Sequence, residues 1–292
     1  MILPSWALFG LAASICAALM PLVQEKFKVP PIALVFAIKL VTFLVSLPLM
    51  LAAGLPASPL FYTLLGVAAL LYTASDIIYF RTVAVEGAGI VARLIPASVI
   101  ATFFLWFLVD PALIDAYLQK PWISLGILAT ILFAVVCAMR LKQCEVSRRT
   151  ARSMWFVLFA ATVGPILSKS ILTAAGPQTG PMAYLCLQAL LCVLILTVYS
   201  VLRRPLPLST VAAVSVWQAG HAAGLISALM VGLKNYGYSH VDHPAYMSVL
   251  YFTDAVWILL IYRATGRRAP GDIWAGLGIV ASAAALVILK SV

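Results

Sequence analysis

Long apolar runs separated by short polar connections dominate the chain. A helix rises about 1.5 Å per residue, so about 20 apolar residues cross the roughly 30 Å hydrocarbon core of a bilayer. Backbone groups in hydrocarbon must pair within their own segment, and these runs are far too long for barrel strands. We therefore predict an all-α membrane protein with ten transmembrane helices, at residues 2–23, 31–53, 59–80, 87–109, 122–139, 153–174, 181–202, 209–232, 244–262 and 272–290.

The composition agrees with a membrane location. Of the 292 residues, 64% are hydrophobic and only 10% are charged, whereas a soluble domain averages about 25% charged. The net charge of +10 does not indicate a nucleic-acid partner, because the basic residues cluster in short connections between apolar runs. Four of the five cysteines lie in apolar runs and no CxxC pair occurs, so we predict neither a disulfide nor a metal site. We also expect no cofactor.

The basic residues are distributed unequally between the two sides of the membrane. Thirteen of the nineteen Lys and Arg residues lie in the connections after spans one, three, five, seven and nine. The opposite side holds three, namely Lys120, Lys234 and Lys290. Because Lys and Arg concentrate in cytoplasmic loops, we expect both termini outside the cytoplasm of a multi-pass protein of the bacterial inner membrane.

Landmarks near helix starts recur at a spacing of about half the chain, which indicates an internal repeat. Trp6 is followed by Trp155, Pro96-Ala97 by Pro244-Ala245, and Trp122-x-x-x-Gly126 by a second Trp-x-x-x-Gly at 274–278. Each unit would contain five spans, and an odd number forces the second copy to insert upside down. We predict two inverted five-helix repeats, at residues 1–146 and 147–292.

With these landmarks the chain resembles the drug/metabolite transporter superfamily, in its ten-helix EamA-like form. The resemblance covers nearly the whole chain, and its clearest local match runs from Leu94-Ile95-Pro96 to Asp110-Pro111, where an acid follows the proline by about fourteen residues. Asp110 stands in place of the usual Glu, and the second copy has Ile258 at the matching position. The resemblance implies a transporter, generally drawn with cytoplasmic termini, which is the reverse of the orientation expected from the basic residues.

Six ionisable residues fall within the predicted spans, where each charge costs at least about 2.5 kcal/mol and needs a partner or a role. They are Lys39, Asp76, Arg93, Lys169, His221 and Asp254. Lys39, Asp76 and Arg93 share one depth, so an ion pair of Asp76 with either cation leaves one positive charge over. A surplus cation in a low-dielectric cavity favours an anionic substrate group. Snorkelling of Lys39 or Arg93 to the interface is the alternative interpretation.

Two ionisable residues of the second half, His221 and Asp254, lie deeper in the membrane, whereas Lys169 is close to the end of its span. His221 lies in the GxxxG frame of Gly220 and Gly224, which favours either close helix packing or a proton-exchanging His on a cavity wall. Asp254 lies near mid-membrane with no basic neighbour one turn away, so it is our first choice for proton coupling, with Asp76 as the second acid. The substrate-binding set that we predict is Lys39, Arg93, His221, Trp217, Tyr251 and Tyr79.

These features predict a secondary active transporter that works by alternating access at a cavity near the membrane midplane. Its partners are the bilayer and a small-molecule or lipid-linked solute, with a phosphate- or carboxylate-bearing solute such as an activated sugar as the first candidate. Proton-coupled efflux of amino acids or amphipathic cations is the alternative, and a channel or scaffold is a third hypothesis. The sequence has no Walker, DxD, DxxxD or HExxH motif, so we do not expect an enzyme. A monomer and a homodimer both remain open.

Overall fold

A computed structural model describes residues 4–86, 95–141, 148–203, 208–266 and 272–291, and these residues form helices and no β-strand. The expectation of an all-α protein is confirmed for this part of the chain. The helices are α1 (Ser5–Phe27), α2 (Pro31–Ala53), α3 (Pro59–Glu86), α4 (Ser98–Val109), α5 (Ala112–Gln119), α6 (Pro121–Arg140), α7 (Arg148–Ala175), α8 (Gly180–Arg203), α9 (Val214–His240), α10 (Pro244–Tyr251), α11 (Thr253–Ala264) and α12 (Ile273–Ser291). Single helical turns at Ile95–Ala97 and Leu208–Val211 precede α4 and α9.

The described residues contain nine segments that are long and apolar enough to cross a membrane, and a bent pair brings the number to ten. In the bent pair, Ile95–Val109 turns by 112° into α5. The beginning of the predicted fourth span, residues 87–94, lies outside the described residues. Helices α10 and α11 form one span, because Phe252 between them keeps right-handed helical backbone angles. Large apolar side chains such as Trp122 and Leu202, which are 83% and 74% exposed, cover the outer surface as in a lipid-facing bundle.

Proline and glycine set several helix ends. Helices α2, α6 and α10 begin at Pro31, Pro121 and Pro244, where a residue without an N–H group leaves no backbone donor unpaired. Helix α2 stops at Gly54, whose φ of 86° has no steric cost for glycine. These signals explain why the sequence located these helix starts well.

Helix α9 packs along both α1 and α2. Gly220 and Gly224 permit the contact with α2, because a Cβ atom at either position would overlap Ala37 or Val41. The other extensive contacts join α2 to α8, α3 to α7 and α6 to α12. Each of these contacts joins a helix of residues 1–146 to a helix of residues 147–292, so the two halves interleave.

Helix α9 also runs further than the sequence predicts. The expected span ends at residue 232, whereas the helix continues to His240. The prediction that Lys234 lies in a connection is therefore wrong, and Lys234 lies on a helix in the interior of the bundle. Neighbouring helices cover this polar end of α9, since Asn235, Gly237 and Tyr238 are all buried.

Candidate functional site

A cavity of about 300 Å³ lies between the two halves of the chain. Helices α1 to α4 and α6 form one part of its wall, and α7 to α11 form the other. Its volume is at the lower end of the range for small-molecule sites. The ionisable Lys and Asp residues of the wall are Lys39, Asp76, Lys234 and Asp254. Tyrosines 72, 79, 184, 238 and 251 form much of the remaining polar surface.

An ion pair joins α2 to α3 on the first-half wall. The Lys39 Nζ atom lies 2.8 Å from Asp76 Oδ2, and Lys39 is only 8% exposed. The half-exposed carboxylate lies on the cavity surface one turn from Tyr72 and Tyr79 along α3. The pair neutralises the buried charge of Lys39, which has little contact with water. Of the two partners that the sequence allows for Asp76, Lys39 is confirmed, and Arg93 lies outside the described residues.

A second lysine enters the cavity from α9. The Lys234 ammonium lies 5.0 Å from the centre of the Tyr251 ring and 5.6 Å from that of Tyr238, within the range of cation–π attraction. In the described part of the chain, no carboxylate oxygen lies within 4 Å of it and it donates no hydrogen bond. The sequence analysis missed this residue, although its spacing of seven from Ser227 would place both on one helix face.

Neighbouring contacts fix the position of Lys234. The adjacent Asn235 donates a hydrogen bond of 3.1 Å to the Pro181 carbonyl at the start of α8. One turn further, Gly237 lets α9 approach α10 so closely that a Cβ atom there would overlap Met247. Helix α9 is therefore anchored to both neighbours beside the lysine.

A chain of hydroxyl groups crosses the wall between the halves. The Tyr72 hydroxyl lies 3.0 Å from Ser168 Oγ, which lies 2.9 Å from the Tyr184 hydroxyl. The tyrosine of α3 reaches α7 because Gly164 has no side chain, and an added Cβ would come within 2.5 Å of the Tyr72 hydroxyl. These bonds tie α3, α7 and α8 together at the cavity surface.

Other polar groups of the wall keep hydrogen-bonding capacity for a bound molecule. Gln188 and Ser227 are nearly buried and line the cavity, and neither bonds to another side chain or backbone group of the described residues. Pro165 adds a third group, because a proline within a helix leaves the carbonyl four residues earlier, here that of Ala161, without its N–H partner. Both residues line the cavity.

Asp254 lies in the first turn of α11, where hydrogen bonds hold the helix against α1. Thr253 Oγ1 lies 2.7 Å from Ser14 Oγ, and the Trp257 Nε1 group donates to the same Ser14 oxygen at 3.1 Å. Asp254 is half-buried and, like Tyr251 one turn before it, lines the cavity. The structure thus brings five of the predicted site residues to one cavity, namely Lys39, Asp76, Tyr79, Tyr251 and Asp254.

Three predicted site residues are not among the described groups of the wall. His221 and Trp217 do not line the cavity, because the close packing of Gly220 and Gly224 on α2 turns His221 to an exposed face. There the His221 Nδ1 atom bonds to the Trp217 carbonyl one turn earlier. Arg93 lies outside the described residues. Lys169 is also absent from the cavity lining, and its ammonium donates a 3.0 Å hydrogen bond to the Tyr238 carbonyl.

The connection between α9 and α10 carries metal-ligand residue types but uses its buried histidine differently. His243 is fully buried, with Nε2 3.1 Å from the Phe103 carbonyl and Nδ1 accepting from the Ala245 N–H group at 3.2 Å. It stacks between Phe103 and Tyr246. Within the described ranges, no group of three or more His, Cys, Asp or Glu side chains is arranged to hold a metal ion.

Comparison with known proteins shows the fold and no more. No family model and no curated protein matches this chain. A solved structure, described only as the crystal structure of a protein, is similar over 98% of both chains with a TM-score of 0.74 and 15% sequence identity. At that identity the likeness establishes a shared multi-helix architecture over almost the full length.

Proposed function

We propose that this protein is a secondary transporter that carries a small organic solute through the membrane by alternating access. The observation that carries the proposal is the cavity of about 300 Å³ between the halves, with ionisable groups contributed by both of them. Each such group in a membrane interior is costly to keep. A purely structural bundle gains nothing from four of them around an open space, whereas a solute site requires polar groups that face a cavity.

We further propose that the chain consists of two inverted five-helix repeats, as the resemblance to EamA-like transporters implies. In such a repeat α1 corresponds to α7, α2 to α8, α3 to α9 and α6 to α12. Exchanging corresponding helices turns the α1–α9 contact into the α7–α3 contact, and both of these contacts are extensive. The α2–α8 and α6–α12 contacts convert into themselves. This pattern of helix pairs supports a pseudo-two-fold relation between the halves, which is the usual basis of rocking around a fixed site.

The proposed mechanism depends on which half of the chain carries each charged group of the cavity. The Lys39–Asp76 pair belongs to one half, whereas Lys234 and Asp254 belong to the other. A relative movement of the halves therefore changes how these charges face each other and which side of the membrane they face. A solute that bridges both walls would favour one arrangement by its differential contacts, as a two-state carrier requires.

We assign ion coupling to Asp254, with Asp76 as the alternative acid. A carboxyl group in a cavity can exchange its proton for a substrate or an ion, and Asp254 lines the cavity in the second half. This placement also favours the second candidate function, proton-coupled efflux of amino acids or amphipathic cations. The two functions share the site and differ in the charge of the solute.

Reconstituted transport tests this proposal. A solute is first found by a thermal-shift screen of sugar phosphates, nucleotide sugars, amino acids and quaternary ammonium compounds. In liposomes, Asp254→Asn should abolish uptake driven by a proton gradient and preserve counterflow exchange of the same solute, because exchange needs no net proton movement. Asp242→Asn, on an exposed carboxylate paired with Lys290 at 3.2 Å, is the matched control and should transport like the wild type.

Two results would contradict the proposal in different ways. Equal loss of driven uptake and exchange in Asp254→Asn would remove the coupling role of this residue and leave the carrier function standing. Flux that does not saturate with solute and is indifferent to Asp254→Asn would replace the carrier by a channel.

A further inference from the structure

We infer that Lys234 is a solute-binding residue, and that its ligand is the acidic group of a small amphipathic organic anion. The inference rests on the proposed transport function and adds the site and chemical class of the solute. Nothing in the sequence pattern pointed to this lysine, because it follows the apolar part of α9. The inference depends on three features of the cavity: a cation without an acidic partner, polar groups beside it, and an apolar region elsewhere in the wall.

The charge on Lys234 has no acidic partner among the described residues. Asp76 is already held by Lys39 at 2.8 Å, and no other described carboxylate approaches the Lys234 ammonium within 4 Å. The rings of Tyr238 and Tyr251 attract the ammonium, but they are neutral, and its N–H donors have no oxygen acceptor among the residues that the structure describes. A carboxylate or phosphate group from a solute would supply both the charge and the acceptors.

Neutral polar groups that suit an anionic head line the same cavity as Lys234. Ser227 lies two turns before Lys234 on the same face of α9, and Gln188 reaches the cavity from α8. Both side chains can donate hydrogen bonds, and both lack partners within the described part of the chain. An anion bound by Lys234 would therefore meet neutral donors on the same wall, which is how binding sites orient a charged group.

The rest of the cavity suits an apolar body. Its wall includes apolar side chains from α1, α2, α3 and α11, among them Met20, Val35, Ile38, Phe80 and Ile258. Contact with these side chains removes apolar surface of the solute from water, which supplies affinity that the single charge does not. The volume of about 300 Å³ limits this body to roughly one ring or a short chain.

Binding of four probes with one body and different heads tests the inference. The probes are 3-phenylpropionate, 2-phenylethyl phosphate, 3-phenylpropan-1-ol and 3-phenylpropylamine, measured by calorimetry on purified protein in detergent. We expect the wild type to bind at least one of the two anions at least tenfold more tightly than the alcohol and the amine. A preference between the two anions identifies the head group as a carboxylate or a phosphate.

Variants of the lysine complete the test. Lys234→Met and Lys234→Gln should weaken anion binding at least tenfold and leave alcohol binding within threefold, whereas Lys234→Arg should keep the anion affinity within threefold. Lys290→Met, on a surface lysine outside the cavity, is the matched control. Melting temperatures of each variant identify any neutral substitution that fails to fold, in which case the other neutral variant carries the comparison.

The outcomes separate this inference from the transport proposal. Tighter binding of the amine, equal binding of all four probes, no binding of either anion, or anion binding unchanged in both neutral variants would overturn the inference. Saturable transport of another solute would then still support the carrier. Anion binding that depends on Lys234 without any flux in liposomes would support the inference and overturn the transport proposal.

Discussion

His243 shows how a single side chain can be fixed in one protonation state. Its Nε2 atom lies 3.1 Å from the Phe103 carbonyl, to which it donates, and Nδ1 accepts from the Ala245 N–H group. This arrangement requires the neutral tautomer with its proton on Nε2, since a second proton on Nδ1 would face the N–H group of Ala245. Burial is the main cause that lowers the pKa of His243 to about 3, and the positive charge of Lys290 acts in the same direction, whereas the Phe103 hydrogen bond and Asp242 oppose it.

This shift predicts a stability that depends on pH. An unfolded histidine has a pKa of about 6.5, so between pH 6.5 and 3 the unfolded chain binds the proton that the folded protein excludes. The free energy of unfolding should therefore be fully retained above pH 6.5 and fall by up to about 1.4 kcal/mol per pH unit below it. Melting temperatures measured in detergent from pH 7.5 to 4.5 check this expectation.

The control for this prediction is a substitution that removes the titration and keeps an N-cap. His243→Asn retains a side-chain acceptor for Ala245, and its melting temperature should fall less steeply with acid than that of the wild type. His240→Asn, an exposed change at the end of α9, should keep the wild-type profile. Parallel profiles for the wild type and His243→Asn would show that His243 does not carry the acid sensitivity.

At the scale of helices, the contact between α9 and α2 depends on two glycines. A Cβ atom at Gly224 would come within 2.6 Å of Val41 Cβ and 3.1 Å of the Ile38 carbonyl oxygen. Backbone atoms cannot move aside without separating the helices, so Gly224→Ala should destabilise the protein by about 1–3 kcal/mol. A lower melting temperature in detergent is the expected result.

Gly232 offers a matched comparison on the same helix. The nearest atoms to an added Cβ there are the ends of the Leu185 and Met182 side chains, at 3.7 and 3.8 Å. Alanine fits this space and costs less helix entropy than glycine, so Gly232→Ala should change stability by no more than about 1 kcal/mol, in the stabilising direction. A loss as large as that of Gly224→Ala would mean that close packing does not explain the sensitivity of α9.

The same helix shows what sequence patterns could and could not predict. The apolar runs located nearly all of the long helices, because lipid contact demands apolar length. The same criterion ended the predicted α9 at residue 232, which is too early. The residues from Lys234 to His240 are largely polar, and low hydropathy marks a segment that does not face lipid, whether or not the segment is helical. This end of α9 is covered by protein instead, so its polar side chains cost less than the pattern implies.

For the molecule as a whole, the sequence predicted how deep a residue lies in the membrane better than it predicted whether the side chain faces the cavity. Lys39 and Asp76 share one depth, and the structure pairs them at 2.8 Å. His221 also lies deep in its helix, yet the packing of Gly220 on α2 directs it away from the cavity. Depth follows from counting residues, whereas the direction of a side chain depends on which helices become neighbours, and one sequence does not specify that pairing.

The orientation of the whole bundle is the remaining prediction from sequence. The connections joining α1 to α2, α3 to α4, α6 to α7, α8 to α9 and α11 to α12, together with the helix ends that adjoin them, carry most of the Lys and Arg. Spans that cross the membrane in alternating directions would place all of these positions on one side. With Lys234 now in the interior, the opposite connections are even poorer in basic residues. We therefore expect the basic side in the cytoplasm and both termini outside it.

Accessibility of two engineered cysteines decides this orientation. Lys28 and Ala57 are exposed in the connections after α1 and α2, on opposite sides of the membrane. In a Cys144→Ser background, where the other native cysteines are buried, a membrane-impermeant maleimide should label Ala57→Cys in intact bacterial cells and Lys28→Cys only after lysis. The reverse pattern would place the termini in the cytoplasm, as EamA-like transporters are generally drawn, and would show that the charge bias does not orient this chain. Since the cavity lies between the halves in either case, that result would leave the proposed site unchanged.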